Sequence, residues 1–160
     1  LSNLAVLDVE PGGDMFFRLV GETYRSRFNE NPVGKSYLNF VAQRRRPLAR
    51  ESGKVCAFTP CVMVMNTGHL MASGRVMQCR GLVVPFQTGG RGAGPDGKPV
   101  LVLLEKGVES APTTILIDGD TVSESFVTKR IFVDIGAGAP DDFYDDIPSA
   151  FLPAETGESR

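Results

Sequence analysis

A chain of 160 residues, 42% of them apolar and with a net charge of −2, suits one globular domain able to hold a core without staples. Near-neutral charge gives no bulk attraction to nucleic acid or anionic membrane, and no apolar run approaches the roughly 18 residues of a membrane span. Cys56, Cys61 and Cys79 are too few and too irregular for a disulfide framework or a zinc site beside a single histidine, His69, so buried free thiols in a cytoplasmic protein are expected.

Leu4 to Val9 and Met15 to Val20 are short apolar runs joined by Glu10-Pro11-Gly12-Gly13-Asp14, whose Pro and Gly supply turn dihedrals; the pair reads as a β-hairpin. Tyr24 and Phe28 stand four apart behind Glu22, which favours a helix start, so 22–28 reads as a short helix ended by Asn29-Glu30-Asn31-Pro32. Ser36 is an N-cap for one further turn carrying Leu38 and Phe40. Pro47 suits a first helical turn, so 47–57 reads as a third helix with Leu48 and Val55 inward.

After Pro60 the period becomes extended. The spacing predicts a strand over 61–65, a turn at Asn66-Thr67-Gly68, and one long strand over 70–86. In that strand Met77, Cys79 and Val83 share one face, and Gln78 and Arg80 the other. A Gly-rich connection over 87–98 leads to a buried strand over 100–104. Further strands are expected over 114–117 and 131–135, with Asp118-Gly119 as a turn between them. An acidic end follows, in which Phe143, Tyr144 and Ile147 interleave with Asp141, Asp142, Asp145 and Asp146.

This order predicts an α+β fold: one antiparallel sheet with short helices on one face. Phe17-Arg18-Leu19-Val20-Gly21 running into the helix that ends at Phe28, then Pro32-Val33-Gly34-Lys35-Ser36 and Gly81-Leu82-Val83-Val84-Pro85-Phe86, resemble in order and spacing the PAS-like domains common in alphaproteobacteria. The resemblance covers residues 4–108. It implies a five-stranded antiparallel sheet holding a small cavity against the helices over residues 1–108, with 109–160 as a C-terminal extension of two strands and an acidic tail. It also implies a bacterial signal-transduction domain that binds a small molecule or a partner signalling protein, commonly as a homodimer. Many family members carry Trp in the second helical region, and this chain has none.

Tyr24, Phe28, Leu38, Phe40, Leu48, Val83 and Leu103 are the residues expected around such a cavity, with core packing as the alternative role of each. Arg44, Arg45, Arg46 and Arg50 form the densest positive patch and the candidate polar docking site, with a solvated helix face as its alternative. Other chemistries lack parts. Gly92 to Lys98 has phosphate-loop spacing, but Pro99 stands where the hydroxyl residue belongs and a strand follows. His69 after a turn is poorly placed for haem, Cys56 and Cys79 lack a flavin-photosensor context, and the terminal acids lack the Gly and Glu of a calcium loop. No cofactor, metal or enzymatic activity is expected. The alternative to a ligand-binding sensor is an interaction module whose core is filled by its own side chains and which pairs as a homodimer.

Overall fold

The computed structural model describes residues 2–28, 30–87, 97–107, 119–141 and 143–144. β1 (Leu4–Val9) and β2 (Met15–Val20) form the expected hairpin. Its turn closes through Glu10 N donating to Asp14 O and Gly13 N to Glu10 O, both at 2.8 Å. Gly13 takes φ +88°, a left-handed geometry that favours glycine, with the Arg50 and Lys54 side chains against it. α1 (Glu22–Arg25) is a single turn, and Tyr37–Phe40 and Gln43–Arg45 are 3-10 turns. Ser36 caps the first of these, its Oγ accepting from Leu38 N at 3.3 Å. α2 (Arg46–Phe58) is the one long helix among the described residues, with Pro47 in its first turn.

β3 (Cys61–Met71), β4 (Val76–Gln87), β5 (Pro99–Gly107), β6 (Val122–Asp134) and β7 (Phe143–Tyr144) follow. Among the described residues, seven strands form one sheet in the order β2-β1-β5-β4-β3-β6-β7, and each strand is antiparallel to its neighbours.

The expected five-stranded α+β arrangement with several short helices is therefore corrected. β6 pairs with β3 from Cys61↔Asp134 to Met71↔Val122, which continues the sheet past the expected edge. The sheet dominates and helical structure shrinks to α2 plus isolated turns. The expected helix over 22–28 stops at Arg25, since Arg27 is drawn into a buried ion pair described below. The turn expected at Asn66-Thr67-Gly68 is strand. Gly68 is there because the Phe126 ring lies where a Cβ would stand, and the chain reverses instead around Gly74, φ +82°. The single strand expected over 70–86 is thereby divided between β3 and β4. The strand expected over 131–135 is the end of β6, and that over 114–117 lies outside the described residues.

Strand alternation sorts the sheet into two faces. The inner face carries Leu7, Met63, Met65, Cys79, Val83, Leu101 and Leu103, all buried. α2 covers it with a face of small residues, Ala49, Ser52, Gly53, Cys56 and Ala57, leaving Leu48 and Val55 half-buried at its flanks. Beside it, Phe17 is the hub of an aromatic cluster, with Tyr24, Phe28, Tyr37 and Phe40 at 5.8–6.3 Å between ring centroids.

Gly68→Ala should place its methyl inside the Phe126 ring. We expect a loss of about 1–3 kcal/mol, seen as a lower urea midpoint with an unchanged slope.

Candidate functional site

Two features of the sheet invite a function: a charged cluster buried on the inner face, and an outer face of aligned apolar rows that no other described element covers.

The cluster arises from strand parity. Leu101, Leu103 and Glu105 point to the inner face of β5, as do Met63, Met65, Thr67 and His69 on β3. Each strand thus continues an apolar row into a polar residue at the same end of the sheet. Ser125 lies opposite His69 on β6, and Cys79 opposite Thr67 on β4. Arg27, just after α1, closes over them. Arg27 NH1 donates to Glu105 Oε2 at 2.6 Å, His69 Nε2 lies 3.0 Å from the same oxygen, and His69 Nδ1 lies 2.8 Å from Ser125 Oγ. All four residues are buried, Glu105 at 2% exposure.

Burial by itself raises the pKa of Glu105, because a lone carboxylate away from water is costly. The imidazole of His69 and the guanidinium of Arg27 outweigh that and hold the carboxyl below its ordinary value near 4.5. An ionised Glu105 only accepts, so Nε2 carries the ring proton and donates to it. In the neutral ring Nδ1 then accepts from the Ser125 hydroxyl. The result is a hydrogen-bonded row, Arg27–Glu105–His69–Ser125, that joins β5, β3 and β6 across the intervening β4.

Burial, aided by the Glu105 charge, pushes the Cys79 thiol up to about 12, and the same two causes push the Tyr37 hydroxyl to about 12. Tyr24 is raised as well, again by burial first, while Arg27 stacks over its ring at 5.4 Å. Chemically, the row resembles a serine–histidine–carboxylate relay, with Ser125 buried at 7% exposure.

Of the residues expected around a cavity, Val83 and Leu103 line one, together with Leu7, Met15, Met63, Met65 and the buried Arg130. It lies between α2 and the sheet and measures about 30 Å³, room for a water molecule or two. Tyr24, Phe28 and Phe40 belong to the aromatic cluster, Leu38 to the core beneath it, and Leu48 to the α2 flank. The arginines are dispersed. Arg45 is buried, donating to Val127 O at 3.0 Å with its guanidinium over Phe126. Arg46 donates to Val41 O, Arg50 pairs with Asp14 at 2.8 Å, and Arg44 is exposed.

Sequence reasoning singled out His69 but missed Arg27, Glu105 and Ser125 as its partners. A signal existed for one of them, since Glu105 is in phase with Leu101 and Leu103. For Arg27 and Ser125, 78 and 56 residues from their partners in the chain, there was none.

The outer face consists of aligned rows. Leu4, Leu104, Leu82, Val64 and Ile131 are successive cross-strand partners from β1 to β6. Leu19, Val6, Val102 and Val84 make a second row, continued by Val133 on β6. Leu19 is 50% exposed, Leu104 39% and Val133 44%. A basic row, Lys106, Arg80 and Lys129 with Asn66 between, borders them on one side. Phe16, Asp8, Val100 and Phe86 border them on the other.

No protein-family model matches this chain, and no curated protein matches it.

The carboxylate sets an acid dependence. Because folding lowers the Glu105 pKa, its contribution to stability is present above the unfolded value near 4.5 and is lost as pH falls below it. In urea unfolding followed from pH 7 to pH 3, Glu105→Gln should lose that component of the acid slope. At pH 7 it should be the less stable protein, since Arg27 is left buried without its anion.

Proposed function

We propose that the chain is a non-catalytic, PAS-like signalling domain of the bacterial cytoplasm that works by docking. Its partner is a second copy of itself, bound through the outer face of the sheet. The observation that carries this reading is the pair of aliphatic rows across five strands, a contiguous apolar surface of the kind that marks an interaction site. Five strands about 4.8 Å apart and four outward rows about 7 Å apart give a face of roughly 24 by 25 Å. That approaches the ~800 Å² per partner of a standard interface.

The bordering rows favour one arrangement. A two-fold axis that reverses strand direction across the interface sets the basic row toward the partner's aromatic edge, Phe16 and Phe86, where cation–π contacts can form beside the Arg18–Asp8 pair. The other in-plane two-fold sets like charges against each other, which is unfavourable. The motifs quoted above for the PAS-like resemblance, and three thiols free of disulfides, support the signalling and cytoplasmic parts of the reading. Among the described residues no helix is long and apolar enough to cross a membrane.

A second reading, a small molecule taken up between α2 and the sheet, draws on Arg130. This buried cation lines a cavity walled by Met15, Met63 and Met65, flexible side chains that can rearrange around a guest. The present volume of about 30 Å³ favours the docking reading.

Light scattering after gel filtration, at tens of micromolar, should give twice the chain mass. Leu82→Glu with Leu104→Glu should give the single mass and an unchanged far-ultraviolet spectrum. A monomeric wild type, or a double variant that remains a dimer, refutes the docking reading. A co-purifying small molecule in the mass spectrum of the wild type would favour the second.

A further inference from the structure

We propose that His69, Cys79 and Glu105 form a binding site for a borderline-soft divalent cation, zinc in the first instance. The three side chains come from adjacent strands, β3, β4 and β5, all are buried, and their donor atoms lie within 4.8 Å of one another. Imidazole nitrogen, thiolate sulfur and carboxylate oxygen are the donors that zinc takes, at about 2.0–2.3 Å. Tetrahedral bonds of that length set ligand atoms about 3.3–3.8 Å apart, so modest side-chain rotations close the site.

The surroundings supply what metal ligands need from their neighbours. Ser125 Oγ lies at 2.8 Å from His69 Nδ1 and fixes the ring plane. The hydroxyl both donates and accepts, so it serves either tautomer. When the cation takes Nε2, the ring proton moves to Nδ1 and the Ser125 oxygen accepts from it. Cys79 gives its proton to solvent and binds as thiolate. One proton leaves and no electron is exchanged. Arg27 remains at the carboxylate, which has two oxygens, one for the cation and one for the guanidinium.

Two positive charges beside one carboxylate oppose each other, and the new thiolate offsets part of that. Because the cluster is covered by α1 and Arg27, the cation enters as the chain folds, as in structural metal sites generally. The test therefore refolds the full chain in the presence of the metal as well as adding it to the folded protein.

Wild-type protein refolded with Co²⁺ should bind one equivalent, with a sulfur-to-cobalt charge-transfer band in the near ultraviolet and tetrahedral bands in the visible. Zn²⁺ should displace it. Cys79→Ser should lose the charge-transfer band, Cys56→Ser should keep it, and His69→Gln should weaken zinc uptake at least tenfold. X-ray absorption of the zinc-loaded wild type should find one sulfur near 2.3 Å and lighter donors near 2.0 Å, a readout that needs no variant to fold. Absence of stoichiometric Co²⁺ and Zn²⁺ binding by the wild type overturns the proposal. So does an absorption spectrum without sulfur, or a charge-transfer band that survives in folded Cys79→Ser.

Discussion

The structure depends on a carboxylate that has been taken out of water. Glu105 stands on the inner face of a central strand with Arg27 at 2.6 Å and His69 at 3.0 Å on the same oxygen. A buried ion pair is a weak source of net stability but a strong source of specificity, because any packing that parts its members leaves a charge stranded. Arg27 comes from the segment after α1, Glu105 from β5, His69 from β3 and Ser125 from β6. Only one relation of helix segment to sheet, and one register among these strands, satisfies all of them.

That constraint explains several local features at once. α1 stops after one turn because the chain must deliver Arg27 downward. The aromatic cluster around Phe17 then roofs the charged row, and Tyr24 shares in both through its stack with Arg27. A roof of aromatic rings keeps water from the carboxylate, and this raises the neighbouring Tyr24, Tyr37 and Cys79 while Glu105 itself remains ionised. The low dielectric strengthens the pairing and raises the cost of losing it.

The two faces of the sheet divide the work. The inner face is consumed by α2, the aromatic cluster and the charged row, with only a small cavity left. The outer face has aligned aliphatic rows and nothing among the described residues laid over them. This asymmetry is why the docking reading takes precedence over a ligand-binding one. A cation at His69, Cys79 and Glu105 would act on the inner face alone, tying β3, β4 and β5 together beneath an outer face built on the same strands.

Much of the local organisation was legible in the chain itself, because hairpins, caps and alternation are short-range matters. The β1–β2 hairpin follows from its Pro-Gly-Gly turn, the Ser36 cap from a hydroxyl ahead of an apolar turn, and the two faces of β4 from the alternation of Met77, Cys79 and Val83 with Gln78 and Arg80. Gly68 misled, because glycine serves equally in a turn and beneath an aromatic ring, and only the position of Phe126 decides between them. The extent of the sheet, the partners of His69 and the fate of the arginines were decided by tertiary structure. Each depends on groups that lie tens of residues apart in the chain. Their mutual distance carries no local signature in propensity or periodicity, and emerges only when the strands are laid side by side.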